Sequence, residues 1–317
     1  MLVTTLGDHF PAKGQAFLFA YRGDCYPCPV KTSKVISVSD FIGQVHDLRD
    51  QWLPHTKELW FRGEDASYQD TKLQPKLYRP VPGKGIRTVE ESLEIEDKLY
   101  REFVRCARQL SEVNFDDEWD WYFLTQHHGV PTRLLDWTDG ALIALHFALR
   151  NKTAERDRPL VWVLDPYWLN DTVLKPHADR ADAKARWDKF CILEKNSSNC
   201  EENDPEDWDR LYLTCDEDDR KEPLLATPKI PLLFDIEHIT RRVAAQRSQM
   251  MIFGTEASWL FDLAGMEDSR FAMLCVEPKQ IEQMKWDLRD AGVTESVIYP
   301  DLDGLGRELE QFWEAVP

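Results

Sequence analysis

Apolar residues fall along this chain in two rhythms, and each rhythm predicts a type of element. Phe41, Val45 and Leu48 recur at helical spacing, and Ser39 or Asp40 ahead of them is suited to cap a helix running to about Trp52. Leu59-Trp60-Phe61 is a short apolar run and reads as a strand. Thr88 with Glu91 has the form of a capping box. Beyond it, Leu99, Phe103, Ala107 and Leu110 make an amphipathic stripe that would face a core. The next helix includes residues 119–126, with Gly129 placed to cap its C-terminus and Pro131 preventing its resumption. Asp139 is expected to cap a further helix through Arg150, with Leu142, Leu145, Phe147 and Leu149 apolar.

The pattern then changes. Residues 160–164 are apolar at every position and read as a buried strand closed by Asp165-Pro166. Residues 171–228 turn polar and acidic and read as a solvated insertion with short helices near Arg186 and Trp208. Its densest run, Asp216-Glu217-Asp218-Asp219, lacks the glycine and the spaced ligands of a calcium loop. Order returns with strands at 230–234, 250–253 and 271–276, and an amphipathic helix at 280–291 ends at Gly292. A short strand at 297–299 and a last helix over 302–313 complete the chain. Strands and helices mix without a regular βαβ rhythm. The fold class expected is therefore α+β, with a mixed, mostly antiparallel central sheet and flanking helices. Residues 1–38 read as an N-terminal extension with a strand at 17–21, and 39–317 as one domain carrying the acidic insertion.

Composition narrows the function classes. A hydrophobic fraction of 43% with 12 Trp, 15 Phe and 9 Tyr supports a substantial core. No apolar run reaches membrane-spanning length and the N-terminus lacks a secretory pattern, so no membrane association is expected. Seven scattered cysteines, an odd number, fit a reducing cytoplasm. The lone CxxC at Cys25 and Cys28 has no second ligand pair, and no metal site is expected. A net charge of −18 repels phosphate backbones and excludes an extended nucleic-acid surface. A local basic pocket stays open to Arg62, Arg79, Arg133, Arg241 and Arg242.

Two polar stretches interrupt the apolar pattern and carry the candidate chemistry: Trp60-Phe61-Arg62-Gly63, and residues 126–138, which place Gln126, His127, His128, Arg133 and Asp136 around a Gly-Val-Pro bend. Arg62 sits at a strand end beside a glycine that permits close backbone approach, and its fork suits a phosphate or carboxylate. The alternative for Arg62 is an ion pair with Asp136 or Glu64. Trp137 could stack a planar ring and Thr138 could donate to a sugar or phosphate, or Asp136 or Thr138 could simply cap the following helix. Gln246 and Gln249 could orient a hydroxyl, although an amide cannot take a proton as a carboxylate can. His127 and Asp136 leave a hydrolase or nuclease as a weaker option.

These residues resemble the FRG domain family, named for its (Phe/Tyr)-Arg-Gly motif. The resemblance rests on Trp60-Phe61-Arg62-Gly63-Glu64 with Leu73-Gln74-Pro75 and Tyr78-Arg79, on residues 126–138 running into Ala144-Leu145-His146-Phe147-Ala148, on Arg242 with Ala245-Gln246 and Phe253-Gly254, and on residues 299–305. Ser248 and Met250 stand where the family usually has Gly and Phe. The order of parts is also distantly similar to that of ADP-ribosyltransferases. That similarity implies NAD as substrate, with Arg62 holding its phosphate or ribose. It puts residues 132–138 along the nicotinamide side and Gln246 near the third site, where such enzymes carry an acidic residue. The candidate catalytic residues are Arg62, His127, Asp136 and Gln246. The candidate NAD-binding residues are Phe61, Gly63, Gln126, Thr132, Arg133, Trp137 and Thr138. The implied function is transfer of ADP-ribose to a macromolecular acceptor or hydrolysis of NAD, as in a toxin or defence effector. The alternative is a non-catalytic regulatory module that binds a nucleotide or a protein.

Overall fold

The all-apolar stretch Leu160–Leu164 is buried at each of its five positions because it is paired on both edges and covered on both faces. In the computed structural model the described residues are 31–53, 56, 58–65, 71–110, 115, 117–150, 159–174, 212–213, 227–234, 240–266 and 268–315. Seven strands form one sheet: β1 (Lys31–Val35), β2 (Trp60–Glu64), β3 (Leu134–Thr138), β4 (Leu160–Leu164), β5 (Leu232–Phe234), β6 (Ser248–Ile252) and β7 (Phe271–Val276). Their order across the sheet is β1-β7-β4-β2-β3-β6-β5. Only β1 and β7 run parallel; every other neighbouring pair is antiparallel, as expected for this α+β chain.

Alternation sorts the side chains into layers. Val161 and Val163 of β4 join Phe61 in a core closed by α1 (Val38–Trp52), α4 (Ala141–Leu149) and α7 (Ile281–Asp290). Leu160, Trp162 and Leu164 face the other way, into a cluster with Trp60, Trp137 and Trp259. A third cluster packs α2 (Val89–Ala107) and α3 (Glu118–His127) over Leu134, Met250 and Ile252. α4 packs closely over β2. A Cβ on Gly63 would fall 1.9 Å from the Ala144 carbonyl oxygen and 2.7 Å from the Ala148 nitrogen. Gly63 therefore admits a helix backbone, where the sequence reading has it admitting a ligand.

The sheet parts in its middle. β2 pairs with β4 over five residues and β3 with β6 over five, yet β2 and β3 share only the Phe61–Thr138 pair. Beyond that pair the two strands separate.

Several elements form as their residues dictate. The Thr88–Glu91 capping box is present, with the Thr88 side chain accepting from the Glu91 N–H and the Glu91 carboxylate from the Thr88 N–H. α3 ends at His127, and Gly129 follows at φ +77°, a conformation that costs glycine little. The first helix is capped by Ser37, not Ser39 or Asp40; the Asp40 carboxylate reaches back to the Ile36 N–H at 2.9 Å. The buried stripe of α2 runs through Leu93, Glu96, Tyr100 and Ala107, while Leu99 is half-buried and Leu110 is exposed beyond the helix end. Hydropathy passes over Glu96 because it is charged. It faces inward because Arg133 meets it there.

α4 begins at Ala141 with Gly140 at its cap and no side-chain cap, so Asp139 does not serve it; Asp139 pairs with Arg247 instead. Residues 297–299 are not a strand. They belong to and follow α8 (Glu295–Ile298), whose turn closes through the Ile298 N–H to the Thr294 carbonyl and the Tyr299 N–H to the Glu295 carbonyl. A three-residue apolar run cannot distinguish the two states. Further helices are α5 (Arg241–Ala245), α6 (Trp259–Ala264) and α9 (Leu302–Ala315), beside short helical turns at Lys76–Tyr78, Pro166–Trp168, Leu169–Leu174 and Pro278–Gln280.

β1 lies within the segment expected to be an extension, and it forms the edge of the sheet. The expected strand at 17–21, Cys25, Cys28, the acidic run at 216–219 and the helices near Arg186 and Trp208 lie outside the described residues. Tyr212 and Leu213, within the acidic insertion, are buried against the third cluster. Among the described residues, no helix is long and apolar enough to cross a membrane.

Candidate functional site

Where β2 and β3 separate, a cavity of about 390 Å³ opens, lined by both strands, the end of α3, α4, α5 and Tyr299. That volume suits a small organic ligand. Arg62 stands at the gap. Its Nε donates to Glu64 Oε1 at 3.1 Å and its Nη1 to the Asp136 carbonyl at 2.7 Å, so one guanidinium ties β2 to β3. Glu64 is buried and also accepts from Thr71 Oγ1 at 2.6 Å and Trp162 Nε1 at 3.2 Å. Arg62 thus lines the cavity while much of its fork is engaged by the protein. Arg79, close enough to feel the Arg62 charge, binds the Gln74 carbonyl; burial and that charge lower its pKa.

Asp136 is the one exposed residue of β3. Its carboxylate accepts from Gln126 Nε2 at 2.9 Å. Gln126 in turn accepts from Thr132 Oγ1 at 2.7 Å, and Thr132 Oγ1 accepts from the Leu134 N–H at 3.1 Å. The backbone amide leaves Thr132 its proton to give to Gln126, which turns the Gln126 NH₂ towards Asp136. The chain holds a carboxylate in one orientation against the cavity.

His127 also lines the cavity. Burial, then the charge of Arg242 and the neighbouring His128, bring its pKa down to about 4 against the weaker pull of Asp301. It is therefore a neutral imidazole at pH 7, able to take a hydrogen bond or a proton but holding no proton to give as an acid. His128 is lowered for similar reasons, burial first and then Arg242.

The far wall is organised around Tyr299. The guanidinium carbons of Arg242, Arg150 and Arg307 lie 4.4, 4.5 and 4.8 Å from its ring centroid. Arg150 Nη1 donates to the Tyr299 hydroxyl at 2.8 Å and Nη2 lies 2.6 Å from Glu295 Oε1. Arg307 Nε donates to the same Glu295 oxygen at 2.9 Å, and His146 Nε2 lies 3.0 Å from the other. Burial alone would raise the Glu295 pKa. Hydrogen bonds from His146 and Arg307 and the Arg150 charge outweigh it and hold the carboxyl down to about 2.

The structure brings the expected site residues Phe61, Arg62, Gly63, Gln126, His127 and Asp136 to this one cavity, along with Trp137, Thr138 and Gln246. Thr132 and Arg133 are not among its walls. Thr132 acts only through Gln126. Arg133 is fully buried: it pairs with Glu96 at 2.6 Å and donates to the carbonyls of Phe253 and Tyr212. Burial lowers its pKa and the Glu96 charge more than restores it, so the guanidinium stays charged in the core. Fully buried and absent from the cavity walls, it cannot reach a ligand there.

Trp137 touches the cavity, but its side chain is packed in the core beside Leu135 and Trp60 and offers no free ring face. The Thr138 hydroxyl donates to the Gln246 carbonyl at 2.7 Å and accepts from the Gly140 N–H at 3.0 Å, so its proton is already committed. Gln246 sends its own amide to the Ile298 carbonyl at 3.4 Å. Gln249 is buried on the Trp137 face of the sheet and lies away from the cavity.

Sequence reasoning did not single out Arg150 or Tyr299 as site residues, and it named Arg242 only as one of five arginines open to a basic pocket. The signal for two of them was present: Arg242 and Tyr299 fall within the third and fourth family blocks. Arg150 ends a helix and carries no motif. Among the described residues, no group of three or more His, Cys, Asp or Glu is arranged to hold a metal ion.

Comparison with known families agrees with the motif. The model of the FRG domain matches residues 57–157, a span that contains Arg62, His127, Asp136 and Arg150 but ends before Arg242 and Tyr299. No curated protein and no solved structure matches the chain. Over residues 57–157 this chain carries an FRG domain.

Proposed function

We propose that the cavity binds NAD and that the chain is an ADP-ribosyltransferase-like enzyme, transferring ADP-ribose or hydrolysing NAD. The observation that carries this reading is a carboxylate held rigidly against a cavity that also presents guanidinium groups. Asp136 is fixed by Gln126, while Arg150 and Arg242 line the same space. Breaking the bond between the ribose and nicotinamide sends its electron pair to the nicotinamide nitrogen and leaves positive charge on the ribose. A fixed carboxylate stabilises that charge, and arginines hold the phosphates. The acceptor hydroxyl or water then adds to the ribose carbon and loses its proton, which the neutral His127 imidazole can take. Because Gln126 and Thr132 fix Asp136 before the ligand arrives, little reorganisation accompanies the reaction.

One feature favours the non-catalytic alternative. Gln246 occupies the position where the resemblance calls for an acidic residue, and its amide cannot act as a base. Nicotinamide release from NAD and calorimetric NAD binding separate the two readings. The enzymatic reading predicts release by the wild type. It predicts loss of about a hundredfold or more in Asp136→Asn with NAD binding retained. Binding without release selects the regulatory module, and no binding removes NAD altogether.

A further inference from the structure

Three of the cavity's cations are already engaged. Arg62 is paired with Glu64, Arg150 with Glu295 and the Tyr299 hydroxyl, and Lys76 Nζ donates to the Gly129 carbonyl at 2.7 Å. Arg242 differs from them. Among the described residues its guanidinium has no ion pair and no hydrogen bond, and its Nε is buried without a partner. What holds it is the Tyr299 ring, 4.4 Å below the guanidinium carbon. Stacking on a ring uses the face of a guanidinium and leaves the donors around its rim. A buried donor without an acceptor costs free energy in the folded protein, and an anionic ligand removes that cost. The surroundings point the same way. Arg150, Arg242 and Arg307 share one ring; Glu295 pairs with Arg150 and Arg307 and Asp301 acts on Arg307, while neither carboxylate pairs with Arg242. This is a local positive field in a chain whose net charge is −18.

We propose that Arg242, stacked on Tyr299, is the anion-binding residue of the cavity and takes the diphosphate of a nucleotide, a role the sequence reading gave to Arg62. The proposal rests on the cavity being a nucleotide site and deepens it by assigning the phosphate subsite. Glu295 and Tyr299 are positioning residues: Glu295 fixes Arg150 and Arg307, and Tyr299 fixes Arg242. Arg62 keeps its place as the tie between β2 and β3.

The test uses pyrophosphate, ADP-ribose and adenosine as probes in calorimetry with the whole chain. The wild type binds pyrophosphate and ADP-ribose, ADP-ribose more tightly, and both weaken as salt rises. Arg242→Gln weakens both by roughly tenfold or more and leaves adenosine unchanged; Arg242→Lys recovers part of the loss. A second readout needs no variant. The Arg242 charge helps to lower His127, together with burial and His128 and against Asp301, so an anion on Arg242 raises the His127 pKa from about 4 in imidazole NMR titrations. The proposal is overturned if the wild type binds no anion, if folded Arg242→Gln binds pyrophosphate as the wild type does, or if His127 does not respond. Pyrophosphate binding tighter than ADP-ribose overturns the nucleotide assignment. The two levels fail separately. Pyrophosphate binding without nicotinamide release sinks NAD turnover and leaves the subsite. Turnover with an unchanged NAD KM in Arg242→Gln sinks the subsite and leaves turnover.

Discussion

Arg133 and Arg242 are both drawn into the protein, yet their surroundings could hardly differ more. Arg133 is fully buried between α2, β3 and Tyr212, and it meets a carboxylate and two carbonyls. Arg242 rests on an aromatic face at a cavity wall with a buried N–H that meets nothing among the described residues. An arginine with its donors engaged holds elements together, whereas one with donors in reserve can recognise something else. Arg62 falls between the two, since it faces the cavity but closes the gap in the sheet. Motif position alone would rank Arg62 and Arg133 above Arg242. The hydrogen-bond count reverses that ranking.

The comparison breaks most decisively at Arg133. Arg133→Met leaves Glu96 as an unpaired charge in the core and is expected to destabilise the fold by about 3–5 kcal/mol in denaturant unfolding. Adding Glu96→Leu removes the stranded carboxylate and recovers part of the loss, because the Tyr122 hydroxyl and the residue-133 N–H then lose their acceptor. A single variant as stable as the wild type would show that the buried pair does not hold α2 to the sheet. Arg242→Gln, by contrast, is expected to change ligand affinity far more than stability.

Gly63→Ala comes next. The added methyl meets helix backbone, which cannot swing aside as a flexible side chain can, and the cost is about 1–3 kcal/mol. Because α4 carries Arg150 into the cavity, the variant should also weaken anion binding. Normal stability with weakened binding would return Gly63 to the ligand-approach role expected from the motif.

The smallest effect is the pH dependence, and it separates the two walls. His127 has its pKa lowered from 6.5 to about 4, so the unfolded chain takes up that proton first. Its contribution to stability is complete above pH 6.5 and is lost as pH falls towards 4. Glu295 has its pKa lowered from 4.5 to about 2, so its contribution is complete above 4.5 and disappears as pH falls towards 2. Unfolding free energies at pH 7, 5 and 3 should therefore fall in two stages, with His127→Gln shrinking the first, to which His128 also contributes, and Glu295→Gln shrinking the second, to which Glu308 also contributes. A single stage untouched by His127→Gln would contradict the burial and the Arg242 charge assigned to that histidine.

What could be read from the sequence follows from the reach of each interaction. The Thr88–Glu91 box, the α3 stop at Gly129, the Trp60 strand and the Leu160–Leu164 strand depend on neighbours within a few residues, and they form as their patterns predict. The antiparallel character of the sheet was legible from the absence of a βαβ rhythm. The α2 stripe was misplaced because its inward residue, Glu96, is charged and its partner Arg133 lies in another element. Trp137 and Thr138 had the chemistry of ligand contacts, but alternation along β3 turns the first into the core and the Gln246 carbonyl takes the proton of the second. The family blocks marked Arg242 and Tyr299, but local pattern did not show that they form one wall with Arg150 and Arg307. Its arginines come from α4, α5 and α9, and only the fold brings them to one ring.

The most direct test of the account is nicotinamide release from NAD by the purified chain, measured beside Asp136→Asn with NAD binding followed in parallel. The account predicts release by the wild type and its loss in a variant that still folds and still binds NAD. Equal release by the variant, or none by a wild type that binds NAD, would contradict the role given to Asp136.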